Sequence, residues 1–386
     1  MELMEHQLEI QRTAKRFADK EVVPIADKLD QEEGFISEEL IQKMAELDVY
    51  GMIIPEEWGG VGLDTTSLAI VTEELCRGSL AVGSLPMRNV ITGWELYKHG
   101  TEDQKKRFLP LIASGKIQTS SLGTEPEAGS DAANVQTTAK KVGDKYILNG
   151  TKVFGTFAKR ADLLFVYART NPDVRPKHRG ISCFIVEKPR NEFSPPNLTG
   201  DKIPTCGYHG MGTYTVYMED LEVPAENLLG GVEGKGFYQL MGGYEIARIT
   251  FAARCVGLVQ AAYDKALEYS KQRVQFEQPI SKFQAIRHRL AVMATDVMAA
   301  RQLTYYAARL FDTGKRCDLE AGMAKLFASE VCMKHTWNAL QMHGGYGYTK
   351  EYSVNRFWRD AGLLPIGEGT SEVQMDVIAK RILGER

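Results

Sequence analysis

From residue 283 to residue 311 an apolar stripe repeats every seven residues without a break. Phe283, Leu290, Val297, Thr304 and Phe311 hold one position of the repeat, and Ile286, Met293, Ala300 and Ala307 fill the second. At 1.5 Å per residue about 29 such residues make a rod about 43 Å long. A rod that is apolar along one side must bury that side against other helices. The spacing therefore predicts an antiparallel helical bundle in the last part of the chain. The stripe serves as core, and the same face could also meet another subunit.

The hydrophobic period changes twice before that rod. Up to about residue 116 apolar residues recur at helical spacing, interrupted at residues 55–62 by PEEWGGVG, whose proline and glycines require a turn. Between about 118 and 232 short runs rich in β-branched and aromatic residues take over, at 146–148, 163–168, 181–186 and 214–218. Asn149-Gly150 reads as a hairpin turn, because both residues tolerate positive φ. Helical spacing returns at about 234. The expected fold is α+β, mainly α, in three domains: a helical domain over 1–117, a β domain over 118–233 and a helical bundle over 234–386. No internal repeat or low-complexity segment competes with this reading.

Composition removes several classes of function. Forty-seven basic residues stand against 50 acidic ones, a formal charge of −3, so no net positive field draws nucleic acid or an anionic membrane. The six cysteines form no CxxC pair and the seven histidines no HxxxH or HExxH spacing, which argues against a disulfide frame and against a metal centre. The chain begins charged and helix-periodic, and no apolar run is long enough to span a bilayer. A cytoplasmic enzyme is expected, although an organellar protein without its transit peptide would read the same.

Four segments carry groups suited to chemistry. TEPEAGSD at 124–131 offers Thr124, Gly129 and Ser130, two hydroxyls and a close backbone approach, to a flavin edge or a phosphate; a surface turn has the same composition. NGTKVFGTF at 149–157 sets Phe154 and Thr156 two residues apart, on one side of an extended strand, an aromatic beside a hydroxyl. RVQFEQPI at 273–280 brings Arg273 and Phe276 to a helix end, where a pyrophosphate or an adenine could meet them. IGEGTSE at 366–372 places Glu368 between two glycines just ahead of a helical run, with Thr370 or Ser371 as its N-cap. A carboxylate projected from such a turn can act as a base; it can also be a solvated loop residue.

Taken in order, these segments resemble the acyl-CoA dehydrogenase family over essentially the whole chain. PEEWGGVGLD, TEPEAGSD, NGTKVFGT, ARI at 247–249, RVQF, QMHGGYGYTKEYSVNRFWRDA at 341–361 and IGEGTSEVQ stand in the family's order and spacing. The resemblance implies a helical domain, a β-barrel-like domain and a four-helix bundle, with FAD held between the last two, assembled as a homotetramer, with electron-transfer flavoprotein as acceptor. It implies Ser121, Gly123, Thr124, Phe154 and Thr156 as flavin-ring contacts. Arg273, Phe276, Gln341 and Gly345 would meet the pyrophosphate and adenine from a neighbouring subunit, and Thr370 the FAD from the opposite side. Ser130, Glu245 and Arg248 would hold the CoA portion. Glu368 matches the base that removes the α-proton while the β-hydride leaves. Relatives that carry the base just before the arginine of the ARI-like segment have a counterpart here in Ala247, so Glu368 keeps that role. Flavin monooxygenases of the same fold have no need of a glutamate in this position.

Two features bear on the acyl group. Gly367 stands where the family often has an aromatic residue, which suggests a wider pocket beside Cα. Arg88, in PMRNVITG at 86–93, falls where many relatives have a histidine or a small residue near the acyl tail, and Arg77 lies earlier in the same helical region. A buried guanidinium would take a substrate carboxylate or a protein one. The segments at 300–325 and 207–216 look closest to dehydrogenases of 2-substituted succinyl-CoA thioesters. A plain short, branched or cyclic acyl-CoA is the alternative.

Overall fold

The computed structural model describes residues 3–385. Six helices open the chain: α1 (Glu5–Phe17), α2 (Val23–Gln31), α3 (Glu38–Ala45), α4 (Thr65–Gly78), α5 (Leu80–His99) and α6 (Glu102–Ala113). Their starts are set locally. Asp64 accepts from the backbone N–H of Ser67 at 2.7 Å to cap α4, and Thr101 and Gln104 form a reciprocal capping box on α6. α4 is buried on nearly every side, because it packs against α1, α5, α7 (Gly236–Gln272) and α8 (Gln284–Asp312). The turn at residues 55–62 is present, with Gly59 and Gly62 at φ +80° and +68°.

The middle of the chain is one curled seven-stranded sheet, built from β1 (Thr119–Leu122), β2 (Thr138–Val142), β3 (Lys145–Thr156), β4 (Leu163–Arg169), β5 (Ile181–Glu187), β6 (Leu198–Lys202) and β7 (Thr213–Pro224). Its order is β1-β4-β2-β3-β7-β6, with β5 antiparallel to β4 and β1 parallel to it. The four β-rich runs fall inside β3, β4, β5 and β7. The hairpin expected at Asn149-Gly150 is not there. Those residues sit inside β3, where the register with β7 slips between Leu148 and Gly150, and the Asn149 amide exchanges hydrogen bonds with Asp220 across the bulge. Glycine at 150 is required by crowding, since a Cβ there would lie 2.5 Å from the Thr137 hydroxyl. The hairpin turn is earlier, at Gly143-Asp144, with Gly143 at φ +63° between Val142 and Lys145.

The last part of the chain is helical. α7, α8, α9 (Asp318–Met342) and α11 (Ser371–Ile382) pack together, and α10 (Ser353–Ala361) lies against α7 and α9. A two-stranded ribbon, β8 (Val274–Gln275) with β9 (Gln278–Pro279), joins α7 to α8. The seven-residue stripe is α8, a helix of 29 residues on which Leu290, Met293, Val297, Ala300, Thr304 and Ala307 are buried. Phe283 is its N-cap and Phe311 packs at the margin of the core. One continuous apolar core runs from the first helices through the sheet into the bundle, so the junctions between the regions are packed. Among the described residues no helix is long and apolar enough to cross a membrane.

Candidate active site

Glu368 occupies the turn before α11, in a left-handed conformation at φ +54°. Such backbone costs a non-glycine residue of order 1 kcal/mol or more and persists only where its surroundings impose it. Three groups impose it here. The buried Lys325 ammonium on α9 donates to the carbonyls of Pro365 at 3.2 Å and Gly369 at 2.7 Å, on either side of Glu368. The Gln374 amide donates to the Glu368 carbonyl at 3.1 Å. Thr370 accepts from the Val373 N–H at 3.3 Å and caps α11, as the sequence suggested.

The half-buried Glu368 side chain lines a narrow cavity of about 60 Å³ between α5, α7 and the sheet. Arg88, Ile91, Thr92 and Glu95 face it from successive turns of α5, and Ser121 from β1. α5 is fixed to β1 by buried polar contacts: Thr92 and Thr119 share a hydroxyl bond of 2.7 Å, and the Asn89 amide accepts from the Thr119 N–H at 3.0 Å. These contacts fix the α5 and β1 residues that line the cavity. Tyr244, Ala247 and Arg254 complete the α7 side. Burial, and after it the Glu368 carboxylate, push the Tyr244 phenol well up, so it remains a donor near the base.

Two expectations about this cavity are corrected. Gly367 does not open a wider pocket, because the Phe251 ring fills the space: a Cβ on Gly367 would lie 3.0 Å from that ring. Arg77 is committed elsewhere, its guanidinium held by Asp19 and Glu74 at 2.5 and 2.9 Å. Glu245 accepts from the Cys317 N–H at 3.0 Å through one carboxylate oxygen, at the start of α9. Arg88 behaves differently from Arg77: no hydrogen bond or ion pair engages its guanidinium among the described residues.

Glu95, Tyr167, Tyr244 and Arg254 were not singled out from sequence, and only Glu95 could have been, as a carboxylate two turns from Arg88 within an apolar helix. Its carboxyl is buried and accepts from the Tyr167 hydroxyl at 2.5 Å. Burial pushes its pKa up to about 7, against the pull of that hydrogen bond. A folded-state pKa above the ordinary 4.5 means that the unfolded chain loses this proton first. Stability should therefore fall as pH rises from 4.5 to about 7, and level off beyond. Glu95→Gln removes the ionisation, and the variant should gain about 2–3 kcal/mol over the parent between pH 5 and pH 8. Unfolding midpoints at the two pH values measure this; a gap that does not widen would mean that Glu95 does not titrate there.

The other expected positions form two groups. Ser121, Gly123 and Thr124 run from β1 into the turn that begins TEPEAGSD. That turn is tied down by Glu125, whose carboxylate accepts from the Gln136 and Thr137 N–H groups and from the buried Lys152 ammonium at 2.7 Å. Gly129 and Ser130 are exposed. Phe154 and Thr156 do not share one side of a regular strand, because the register slips between Lys152 and Gly155 and Phe154 takes φ +57°. The bulge leaves the Phe154 ring 63% exposed. In the second group Arg273, Gln341 and Gly345 line a separate cavity of about 460 Å³ beside the stacked rings of Tyr269 and His343. Gly345 has open space where a Cβ would be, and Arg273 ends α7. Phe276 is 87% exposed at the tip of the β8–β9 ribbon. Arg248 is buried under the Tyr244 ring at 5.2 Å, its Nε without a partner. An exposed aromatic at a strand bulge, and a cation beside glycines and stacked rings, fit the ring and the pyrophosphate end of a dinucleotide flavin.

Comparison with known proteins bears on the same elements. Models of the N-terminal, middle and C-terminal domains of acyl-CoA dehydrogenases match residues 4–116, 120–221 and 234–383. The chain is 43% identical over 373 residues to (2S)-methylsuccinyl-CoA dehydrogenase of Cereibacter sphaeroides, covering 96% of this chain and 68% of that protein. It is 42% identical over 376 residues to the CarC subunit of the caffeyl-CoA reductase–Etf complex of Acetobacterium woodii, covering 97% of each. Butyryl-CoA dehydrogenase from Megasphaera elsdenii superposes with a TM-score of 0.94 at 38% identity, over 99% of each chain.

Proposed function

The chain belongs to the acyl-CoA dehydrogenase family, whose members depend on FAD, and from that premise we propose that it dehydrogenates a dicarboxylic, 2-substituted succinyl-type acyl-CoA at Cα and Cβ. The observation that carries the dicarboxylic reading is the Arg88 guanidinium. It faces the cavity of Glu368, and no hydrogen bond or ion pair joins it to an acid among the described residues, which supports this reading over pairing with a protein carboxylate. A guanidinium kept in an enclosed site is stabilised by an anion brought with the substrate. The similarity to a methylsuccinyl-CoA dehydrogenase supports the same acyl class. With Gly367 covered by Phe251, the branch at Cα has to be small.

In this reading Glu368 takes the α-proton, and Tyr244 and the Lys325-anchored turn keep its carboxylate facing Cα. Bound FAD supplies the acceptor for the β-hydrogen and its electron pair. Ser121, Gly123, Thr124, Phe154 and Thr156 would meet the flavin ring, with Thr370 on the opposite side. Arg273, Phe276, Gln341 and Gly345 would serve the pyrophosphate and adenine of a neighbouring subunit in a homotetramer. Ser130, Glu245 and Arg248 would hold the CoA chain. Val292, Met298 and Tyr306, apolar or aromatic residues exposed on α8, suit an interface between subunits. The similarity to a subunit of a reductase–Etf complex supports electron-transfer flavoprotein as redox partner. Glu368 serves either direction, since the base of one is the acid of the other.

The test is anaerobic flavin reduction across a panel of saturated thioesters: methylsuccinyl-, glutaryl-, butyryl-, isobutyryl- and 2-methylbutyryl-CoA. Bleaching by the thioester alone, fastest with methylsuccinyl-CoA, is the expected result. Faster bleaching with the monocarboxylic members would replace the dicarboxylic reading, and a flavin that bleaches only with an added reductant would point to an oxygen-using enzyme.

A further inference from the structure

The cavity of Glu368 contains a second guanidinium, Arg254 on α7. Its residue is 4% exposed, its Nε is enclosed without an acceptor, and no hydrogen bond or ion pair engages it among the described residues. The Phe251 ring lies 5.2 Å away, and the Cys76 and Cys255 thiols are pushed up to about 12 by burial and so stay neutral.

The balance of charge in the cavity is uneven. Two cations, Arg88 and Arg254, face two carboxyl groups, Glu95 and Glu368. Glu95 is held by Tyr167 and is largely protonated below pH 7. Arg248 and Lys325 also act on Glu368, so the site carries an excess of positive charge. A monocarboxylic acyl chain brings nothing to neutralise it, and a dicarboxylic chain brings one anion. The two arginines project from α5 and α7, helices packed side by side, so a carboxylate entering between them meets planar donor forks from both walls.

We propose that Arg254 is the second half of a two-guanidinium clamp which, with Arg88, holds the free carboxylate of the acyl group and so makes Arg254 a specificity-determining residue. The proposal rests on the dicarboxylic reading of the site. It assigns to Arg254 a role no sequence motif announces, because it lies six residues beyond the ARI-like arginine on a helix that otherwise reads as core.

The experiment compares kcat/KM of the holoenzyme for methylsuccinyl-CoA and 2-methylbutyryl-CoA, which share a carbon skeleton and differ by a carboxylate against a methyl group. Wild type, Arg254→Met, Arg254→Lys and Arg88→Met are measured with flavin content checked in each. The expected result is a wild-type preference for methylsuccinyl-CoA that drops about 100-fold in Arg254→Met and less in Arg254→Lys, while 2-methylbutyryl-CoA changes by no more than a few-fold. A loss of about 100-fold equals about 2.7 kcal/mol at 1.36 kcal/mol per decade. If Arg88→Met loses the preference and Arg254→Met keeps it, the clamp is overturned and the dicarboxylic reading stands. If the wild type prefers 2-methylbutyryl-CoA, that reading fails and the clamp with it. Should Arg254→Met not fold, Arg254→Gln, which keeps bulk and donors without charge, is judged by the same ratio. If both fail to fold while Arg88→Met folds, Arg254 belongs to the framework of the bundle and the clamp is overturned.

Discussion

Glu368→Gln should give a protein that folds and retains its yellow cofactor, but whose flavin no longer bleaches with a saturated thioester, kcat/KM falling by about 10³–10⁴. Positioned general bases contribute about 10²–10⁴ to rate. The upper part of that range applies because no second carboxylate stands ready: Ala247, where the resemblance puts the alternative base, has no acid, and Glu95 is tied to Tyr167. The loss corresponds to about 4–5.5 kcal/mol of transition-state stabilisation. Folding is spared because the strained turn is held by its backbone. Lys325 and Gln374 grip carbonyls of residues 365, 368 and 369, none of which changes with the side chain. Binding is also spared, so a perturbed flavin spectrum on adding thioester should persist in the variant. The Tyr244 phenol, freed of the neighbouring carboxylate, should titrate lower than in the parent. Turnover within tenfold of wild type would take the base role from Glu368.

Legibility in the sequence followed the range of the forces involved. The α8 stripe could be read to within a residue because a seven-residue repeat encodes burial along a whole helix. The four strongest strands were legible for the same reason, whereas β1 is only four residues long, and β2 and β6 are short and partly exposed and carry little pattern. Asn149-Gly150 misled because turn chemistry and bulge chemistry use the same residues; the choice was made by Asp220, seventy-one residues away. Glu368 and its N-capped helix were readable as a turn before a helix, but the groups that hold the turn were not. Lys325 is one lysine in a helix until the fold brings it beneath Pro365 and Gly369. The Gly367 expectation failed in the same way, since the residue that fills the vacated space, Phe251, lies on another helix and in no recognised motif. Residues defined by contacts distant in sequence, Arg254 and the Glu95–Tyr167 pair above all, became visible only in three dimensions.

Arg88→Met separates function from stability in opposite directions, and that opposition makes it informative. Methionine roughly conserves the aliphatic reach of the side chain and removes its charge. If the guanidinium binds the substrate carboxylate, the variant loses a charge-assisted pair in an enclosed site, a change that costs about 2–5 kcal/mol when one partner of such a pair is deleted. The dicarboxylic kcat/KM should then fall by about 10²–10³, at the low-to-middle part of that range because Arg254 lines the same cavity. The free protein gains by the same substitution. A guanidinium with no acid partner is a net cost to the folded state, and its replacement by an apolar side chain should leave stability unchanged or raise it by about 1 kcal/mol. A higher melting temperature together with a collapsed preference for methylsuccinyl-CoA over 2-methylbutyryl-CoA is thus the expected pair of results. Had Arg88 served a protein carboxylate, the melting temperature would drop while the substrate ratio stayed put. Had it been a solvated surface charge, neither would move. An unpaired guanidinium beside Glu368 is the arrangement the first pattern requires.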